Sequence, residues 1–331
     1  MTPSDTKPPY SRRRFLWLAA FIVLLFGGYT VGWFYVADRL EKQANAAVAD
    51  LNRDGVSAEC VNLTVHGFPF RLGIFCDSLG YEDGARDIFA SAGSFRSAAQ
   101  IYQPMKAIGE LDGPLRVAAP GLLALWFDWD KLRASARLAR PLPERVSAEA
   151  EGLSGMTDPE DGDPVSLFSA ARAATHLRPN GADLDWALSF EDLEVDQAAA
   201  GGRSLPVMNG AGDISFKDGV RLLLSGQQSL RGRSAEIRSL DLSSGDGGVV
   251  VSGPVSVDAD GLVDARLLIK LRNPSAVAAT MAGVFPEAKN QINSSFGALA
   301  LLGSEPALPL VVAKGRASMG FIQLGSIPPL D

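Results

Sequence analysis

The sequence predicts a mainly β (α+β) protein. It should carry an N-terminal transmembrane helix and a stalk helix, then a curved antiparallel β-sheet meander with a few covering helices. Phe15 to Val36 holds no Asp, Glu, Lys or Arg. Beyond residue 56, apolar and polar residues alternate with period two in run after run, as in strands with one buried face. Asn-Gly, Asp-Gly and Lys-Gly pairs separate those runs, at the positions where tight hairpin turns need positive φ.

The anchor comes first. The uncharged run is 22 residues long. As a helix it spans roughly 33 Å, enough for a hydrocarbon core of about 30 Å. Trp17 sits near one end and Trp33 and Tyr35 near the other, where amphipathic rings favour the interface. Arg12, Arg13 and Arg14 precede the run, while Asp38, Arg39, Glu41 and Lys42 follow it and cancel. The positive-inside rule keeps the N-terminus in the cytoplasm and exports the chain from about residue 38. A cleaved signal peptide is one rival reading, since Ala44-Asn45-Ala46 fits a cleavage site. Against it, the charges at 38–42 intervene, and the run exceeds the roughly 7–15 apolar residues usual in cleaved signals. Twin-arginine export is the other rival. Ser11-Arg12-Arg13-Arg14-Phe15-Leu16 fits that signal, but the length and apolarity suit an ordinary signal-anchor better.

Residues 37–55 read as the stalk. Leu40, Ala44, Ala47, Val48 and Leu51 recur at helical spacing and should pack on the exported domain, with Asp54-Gly55 as the stop. The stripe is too short and too rich in Ala for a coiled-coil dimer. The organisation is then a basic cytoplasmic tail (1–14), the anchor (15–36), the stalk (37–55) and an exported β-rich domain (56–331).

Cys60 and Cys76 are the only cysteines. The runs 59–66 and 70–76 read as strands around a Gly67-Phe68-Pro69 turn. A hairpin centred on Phe68 sets Cys60 directly opposite Cys76, within bridging range. Export to an oxidising compartment permits the disulfide.

Further on, Leu184, Trp186, Leu188 and Phe190 alternate with Asp183, Asp185, Ala187 and Ser189. Val263, Ala265, Leu267, Ile269 and Leu271 alternate with Asp264, Arg266, Leu268 and Lys270. Val249, Val251, Val255 and Val257 share a face, as do Leu132, Ala134, Ala136 and Leu138. Turns are expected at Asn180-Gly181, Asp218-Gly219, Asp260-Gly261 and Lys314-Gly315. Helices are expected at Pro274 to Gly283, capped by Asn273, at Pro286 to Leu302, and over Ser166–Ala174. The acidic stretch 158–164 lacks the order of a calcium loop and reads as solvated.

The first 14 residues carry Lys7, Arg12, Arg13 and Arg14 against Asp5, a net +3, which leaves −10 for the rest of a chain of net −7. Such an acidic body is a poor partner for nucleic acid or for an anionic lipid surface, since both need clustered Lys and Arg. There are two histidines, His66 and His176, with no nucleophile elbow, no phosphate-binding loop and no metal-ligand spacing. No catalytic residue, metal ligand or cofactor site is expected. The cluster Trp126-Phe127-Asp128-Trp129-Asp130 reads as a core plug at a strand start rather than a ligand platform.

Val65-His66-Gly67-Phe68-Pro69-Phe70-Arg71-Leu72, following a signal-anchor, resembles a bacterial family known as domain of unknown function 2125, typical of alphaproteobacteria. Ile101-Tyr102-Gln103-Pro104 with Leu111-Asp112-Gly113-Pro114-Leu115 resembles it too, as do Gly315–Gly320 and Leu324–Leu330. The resemblance covers about residues 58–330. Its motifs are glycine and proline punctuation, which specify fold and bring no catalytic residues. A weaker likeness is to AsmA-like envelope proteins, which have anchors and curved sheets with an apolar groove, associated with phospholipid traffic. These resemblances imply a single-pass inner-membrane protein with a periplasmic β domain.

The function expected on this reading is lipid binding or envelope scaffolding. The partners would be the inner membrane through residues 15–36 and a phospholipid or an envelope protein. The apolar sheet face would be the site, with Leu184, Trp186, Leu188, Phe190, Val263, Leu267 and Ile269 on it. The competing structural reading is a closed core covered by the helices at 274–302. The competing functional reading is an envelope glycan or lipid hydrolase using paired carboxylates.

Overall fold

A computed structural model of the chain describes residues 10–53, 55–121, 123–159, 163–225, 229–301, 303–320 and 322–330. Lys7, Asp54, the middle of the acidic stretch (160–162) and Leu302 lie outside the described residues.

One unbroken helix, α1 (Tyr10–Leu51), carries both anchor and stalk. It is long and apolar enough to cross a membrane, and no residue of its most apolar window is buried. Trp33 and Ala37 are buried. Leu40, Ala44 and Val48 are half-buried, whereas Ala47 and Leu51 are exposed. The packed stripe therefore starts earlier than expected, inside the uncharged run, and leaves out two of the five expected positions. The first strand lies beside the helix end: Asn52 donates from Nδ2 to the Ala58 carbonyl at 3.0 Å and accepts from the Ala58 N–H. That amide blocks part of an open sheet edge, which would otherwise recruit another chain.

The rest of the chain is one sheet in which every pairing is antiparallel. Its first five crossings are each broken once. They are β1 (Val56–Cys60) with β2 (Thr64–His66), β3 (Arg71–Cys76) with β4 (Leu79–Asp83), and β5 (Ile88–Ala92) with β6 (Phe95–Gln100). Then come β7 (Gln103–Leu111) with β8 (Leu115–Ala118), and β9 (Leu125–Asp128) with β10 (Lys131–Arg137). β11 (Arg145–Thr157) heals the break, pairing β10 with its first half and β9 with its second. Long hairpins follow: β12 (Ser166–Asn180), β13 (Asp183–Val195), β14 (Met208–Phe216), β15 (Ser234–Ser244), β16 (Gly247–Val257) and β17 (Val263–Arg272). β18 (Ala307–Ala313), β19 (Arg316–Met319) and β20 (Ile322–Ser326) close the series. With broken strands counted as one, each crossing pairs with its sequence neighbour, so the sheet is a pure meander. Three more helices interrupt it: α2 (Gly219–Ser225), α3 (Pro274–Val284) and α4 (Lys289–Ala300). Asn273 caps α3 through the Ala276 N–H, with Pro at the first helical position.

Cys60 and Cys76 form a disulfide, with Cα atoms 5.3 Å apart. The register that brings them together differs from the expected one. Thr64 faces Phe75, His66 faces Gly73, and Cys60 itself faces Leu79. The hairpin turns through a wider loop than a turn centred on Phe68, closed by the Arg71 N–H on the Gly67 carbonyl. Val61–Leu63 leave the ladder between β1 and β2. That break lets the bridge run diagonally across the pair instead of straight across it.

Two other expectations are corrected. Ser166–Ala174 is strand, the start of β12, not helix. Its Ala-rich composition favours a helix locally, but hydrogen-bonded neighbours on both sides override that weak preference. Asp218-Gly219 does not make a hairpin turn; it opens α2. The turns at Asn180-Gly181, Asp260-Gly261 and Lys314-Gly315 are hairpin connections as expected. β10 ends at Arg137, so Leu138 falls outside the strand.

The two faces of the sheet differ in chemistry. On the polar face, cations and carboxylates pair across strands: Arg133 with Glu110 at 2.7 Å, Arg238 with Asp213 at 3.0 Å, and Arg272 with Asp241 at 2.6 Å. Asp185 is the buried member of this set. It accepts from Ser215 Oγ at 2.9 Å and Arg178 at 2.9 Å, and pairs with Arg238. Burial pushes its carboxyl up, but Arg178, Ser215 and Arg238 outweigh that and hold its pKa below the usual carboxylate range. Both arginines reach water, so Asp185→Asn should cost about 2 kcal/mol, below the 3–5 of a fully buried pair. A depressed pKa gives stability that is present above about pH 4 and lost as pH falls through the folded value. The Asn variant should therefore lose less of its thermal midpoint than wild type on acidification. Equal acid sensitivity would mean Asp185 does not carry this linkage.

Candidate functional site

The seven residues expected on the apolar face share one side of the sheet. Leu188 faces Gly212, and the row continues through Leu240, Val251, Ile269 and Leu308. Trp186 lies between Leu177 and Ile214. Leu184 faces Phe216, whose row continues through Ala235, Val255, Ala265 and Val312. Phe190 faces Gly210, followed by Leu242, Val249 and Leu271. Val263 and Leu267 flank Ala265 at strand spacing and so point the same way.

Glycines make this floor low. Phe190 lies in the space a Cβ at Gly210 would fill, and Leu188 and Leu240 lean over Gly212. Phe168 covers Gly155, and Phe95 covers Gly109 at 3.3 Å, in the same manner. The large side chains therefore lie along the sheet instead of standing up from it. Trp186 stacks on Phe216 with centroids 6.2 Å apart, and its indole N–H donates to Thr175 Oγ1 at 2.8 Å. Its one polar atom is thus satisfied within the floor.

Cover over the face is partial. α2 closes one end, where Leu184 meets Gly219, and Leu184 is buried. Nearby, Val257, Val263, Ala265 and Val312 form a small core, with Leu267 and the C-terminal Leu330 packed against it. α3 roofs the other end over β16 and β17, while α4 packs on α3. The expected covering helices are present, but they close only an end of the face. Under α3 is an apolar cavity of about 310 Å³, lined by Met208, Leu242, Val249, Val277, Met281 and Phe285 among others. That volume lies at the lower end of small-molecule sites. Between the two ends, Leu188, Leu240, Val251, Ile269 and Leu308 remain half-buried. Among the described residues no large side chain is fully enclosed.

The cavity was not foreseen from the sequence. Its signal was α3 itself, Pro-Ser-Ala-Val-Ala-Ala-Thr-Met-Ala-Gly-Val, a helix with no charged face to turn to water. Met281 and the following Phe285 stay partly exposed, consistent with a roof over a cavity rather than a core helix.

The two histidines lie apart from the face. His66 and His176 are both exposed, His66 edge-on to Phe75 and His176 on the polar face opposite Ser147 and Ala187. Among the described residues no group of three potential metal ligands converges. Several carboxyls among the described residues are lowered by cations paired with them. Asp183 is pulled down by Lys217, Asp258 by Lys314 and Glu287 by Arg203. The aromatic cluster at 126–130 sits where β9 breaks into β10: Trp129 donates to the Leu111 carbonyl at 2.7 Å, and Phe127 lies 6.4 Å from Phe168.

A family model described as an uncharacterized protein conserved in bacteria (DUF2125) matches residues 33–328. No curated protein matches the chain.

Proposed function

The chain belongs to the DUF2125 family, and from that membership together with an open apolar sheet face we propose that it is an inner-membrane-anchored periplasmic protein that holds a lipid acyl chain. The observation that carries the reading is the half-buried row from Leu188 through Leu240, Val251 and Ile269 to Leu308, leading toward the cavity under α3. Water on such a surface is costly, at about 25 cal/mol per Å² of apolar area left uncovered. An acyl chain removes that cost without directional contacts. The disulfide fits an oxidising compartment, and Arg12–Arg14 before the apolar run fit a cytoplasmic N-terminus. An envelope scaffold that buries this face against a protein is the alternative outcome.

The test uses the full chain in cells fed a fatty acid bearing a photoreactive diazirine and an affinity handle. Cross-linked peptides should include β13 or β17, and Leu188→Asp with Ile269→Asp, both on the open row, should abolish those adducts while leaving the disulfide and circular dichroism unchanged. Adducts confined to α1 would overturn lipid carriage and leave the scaffold.

A further inference from the structure

We propose that the loop rim beside α1 is a second membrane contact, in which exposed aromatic tips enter the interface and a row of three cations, only one of them paired with a carboxylate, binds anionic phospholipid headgroups. This rests on α1 spanning the bilayer, as read above. The β2–β3 loop is fastened to the helix inside its uncharged run. Tyr29 Oη donates to the Pro69 carbonyl, Trp33 Nε1 donates to the Arg71 carbonyl at 3.0 Å, and Phe34 stacks on Phe68 at 5.8 Å. Tyr29 lies about 10 Å of helix inside the end of that run. A spanning α1 therefore draws the loop down to the depth at which interfacial segments bury their apolar residues, about 5–10 Å.

The neighbouring loops share that level. The Ile101 N–H donates to the Phe70 carbonyl at 3.1 Å, and the Leu138 N–H to the Met105 carbonyl at 2.7 Å. Phe70, Tyr102 and Met105 are 66%, 69% and 61% exposed. Aromatic and thioether side chains bared together at one rim suit the headgroup boundary.

Charge gives the second, independent observation. Arg137 faces Lys106 on one side and Arg145 on the other. Arg178 lines the same hollow but is already paired with Asp185 at 2.9 Å. Like charges directly opposed across strands are destabilising. Elsewhere on this face, cations meet carboxylates, as Arg133 and Arg272 do. Here Glu144 pairs with Arg137 at 3.0 Å, and among the described residues Lys106 and Arg145 have no ion pair. An acidic protein has thus gathered cations at the rim nearest its anchor. Phosphate headgroups would relieve their repulsion, and each Lys or Arg near an anionic surface shifts partitioning roughly fivefold.

The two cysteines are bridged, so Tyr102→Cys adds a unique thiol to the full chain, and Ala198→Cys supplies an exposed control on the opposite rim. Each is labelled with an environment-sensitive fluorophore and reconstituted into phosphatidylcholine vesicles with or without phosphatidylglycerol. A lipid carrying a shallow spin label serves as quencher. The label at 102 should be quenched and blue-shifted, and the label at 198 should match water. Quenching at 102 should be greater with phosphatidylglycerol and should lose that increment in a Lys106→Gln, Arg137→Gln, Arg145→Gln variant. A label at 102 as water-exposed as that at 198, in a chain that floats with the vesicles and resists alkaline extraction, overturns the rim contact alone. Quenching indifferent to phosphatidylglycerol overturns the role of the cations. A chain that does not float overturns the membrane reading of α1 and this contact with it.

Discussion

Gly73→Ala should unfold the N-terminal end of the sheet, at a cost of about 4 kcal/mol or more, while Gly80→Ala on the following strand should be close to neutral. Gly73 lies where β3 presses on β6. A Cβ there would fall on the Ser97 carbonyl oxygen and come within 2.7 Å of its carbon. The obstacle is backbone, so no rotamer can yield, and the strands must part. The ladder is already strained for partners at this point. Ile74 is tied to β6 through the Ser97 side chain, which takes its N–H at 2.9 Å and donates to its carbonyl at 3.1 Å. At Gly80 the nearest atom to a Cβ is Glu59 Cβ at 3.6 Å, an ordinary contact. For a chain of this size the Gly73 variant should melt on the order of 10 °C below wild type, read by circular dichroism in detergent. Equal midpoints for the two variants would mean that β3 and β6 do not approach so closely.

Period-two runs at 184–190 and 263–271 announced the strands and also the shared face, because alternation fixes which side chains point together even when the partner strands are unknown. Three of the four expected hairpin turns were readable from local sequence as well, whereas Asp218-Gly219 opens α2 instead. What was not readable lay in pairing. The Ala-rich start of β12 looks helical until β11 and β13 are beside it. The hairpin register depended on the width of the loop at 67–71, which the sequence leaves open; the disulfide forms although a turn centred on Phe68 would pair its cysteines in a different register. Low rings over Gly155 and Gly210 need the cross-strand neighbour to be known before they mean anything. The opposition of Arg137 to Lys106 and Arg145 likewise exists only once three strands are aligned.

Replacing both Cys60 and Cys76 by Ser should cost about 3 kcal/mol, the chain-entropy value for a closed loop of some 15 residues, here with a separation of 16. The loss should be local in origin, because the bridge spans the point where β1 leaves the ladder and β2 resumes it. Without it, Val61–Leu63 are held by the Val61 N–H on Ser78 and the Asp77 N–H on Val61, and by the Asn62 amide on Asp77 at 2.6 Å. These exposed bonds are each worth about 1 kcal/mol. The loop that grips Trp33 and Phe34 would then hang from a frayed support. Reductant should lower the wild-type melting midpoint to that of the double Ser variant and leave the variant unmoved. The same bond reports where the domain lives. Protein denatured directly from cells, with free thiols trapped and no reductant added, should take up no maleimide until reduced. Two reactive thiols in that sample would place the domain in a reducing compartment and remove the periplasmic assignment, and the lipid-holding reading would then need a cytoplasmic membrane face instead.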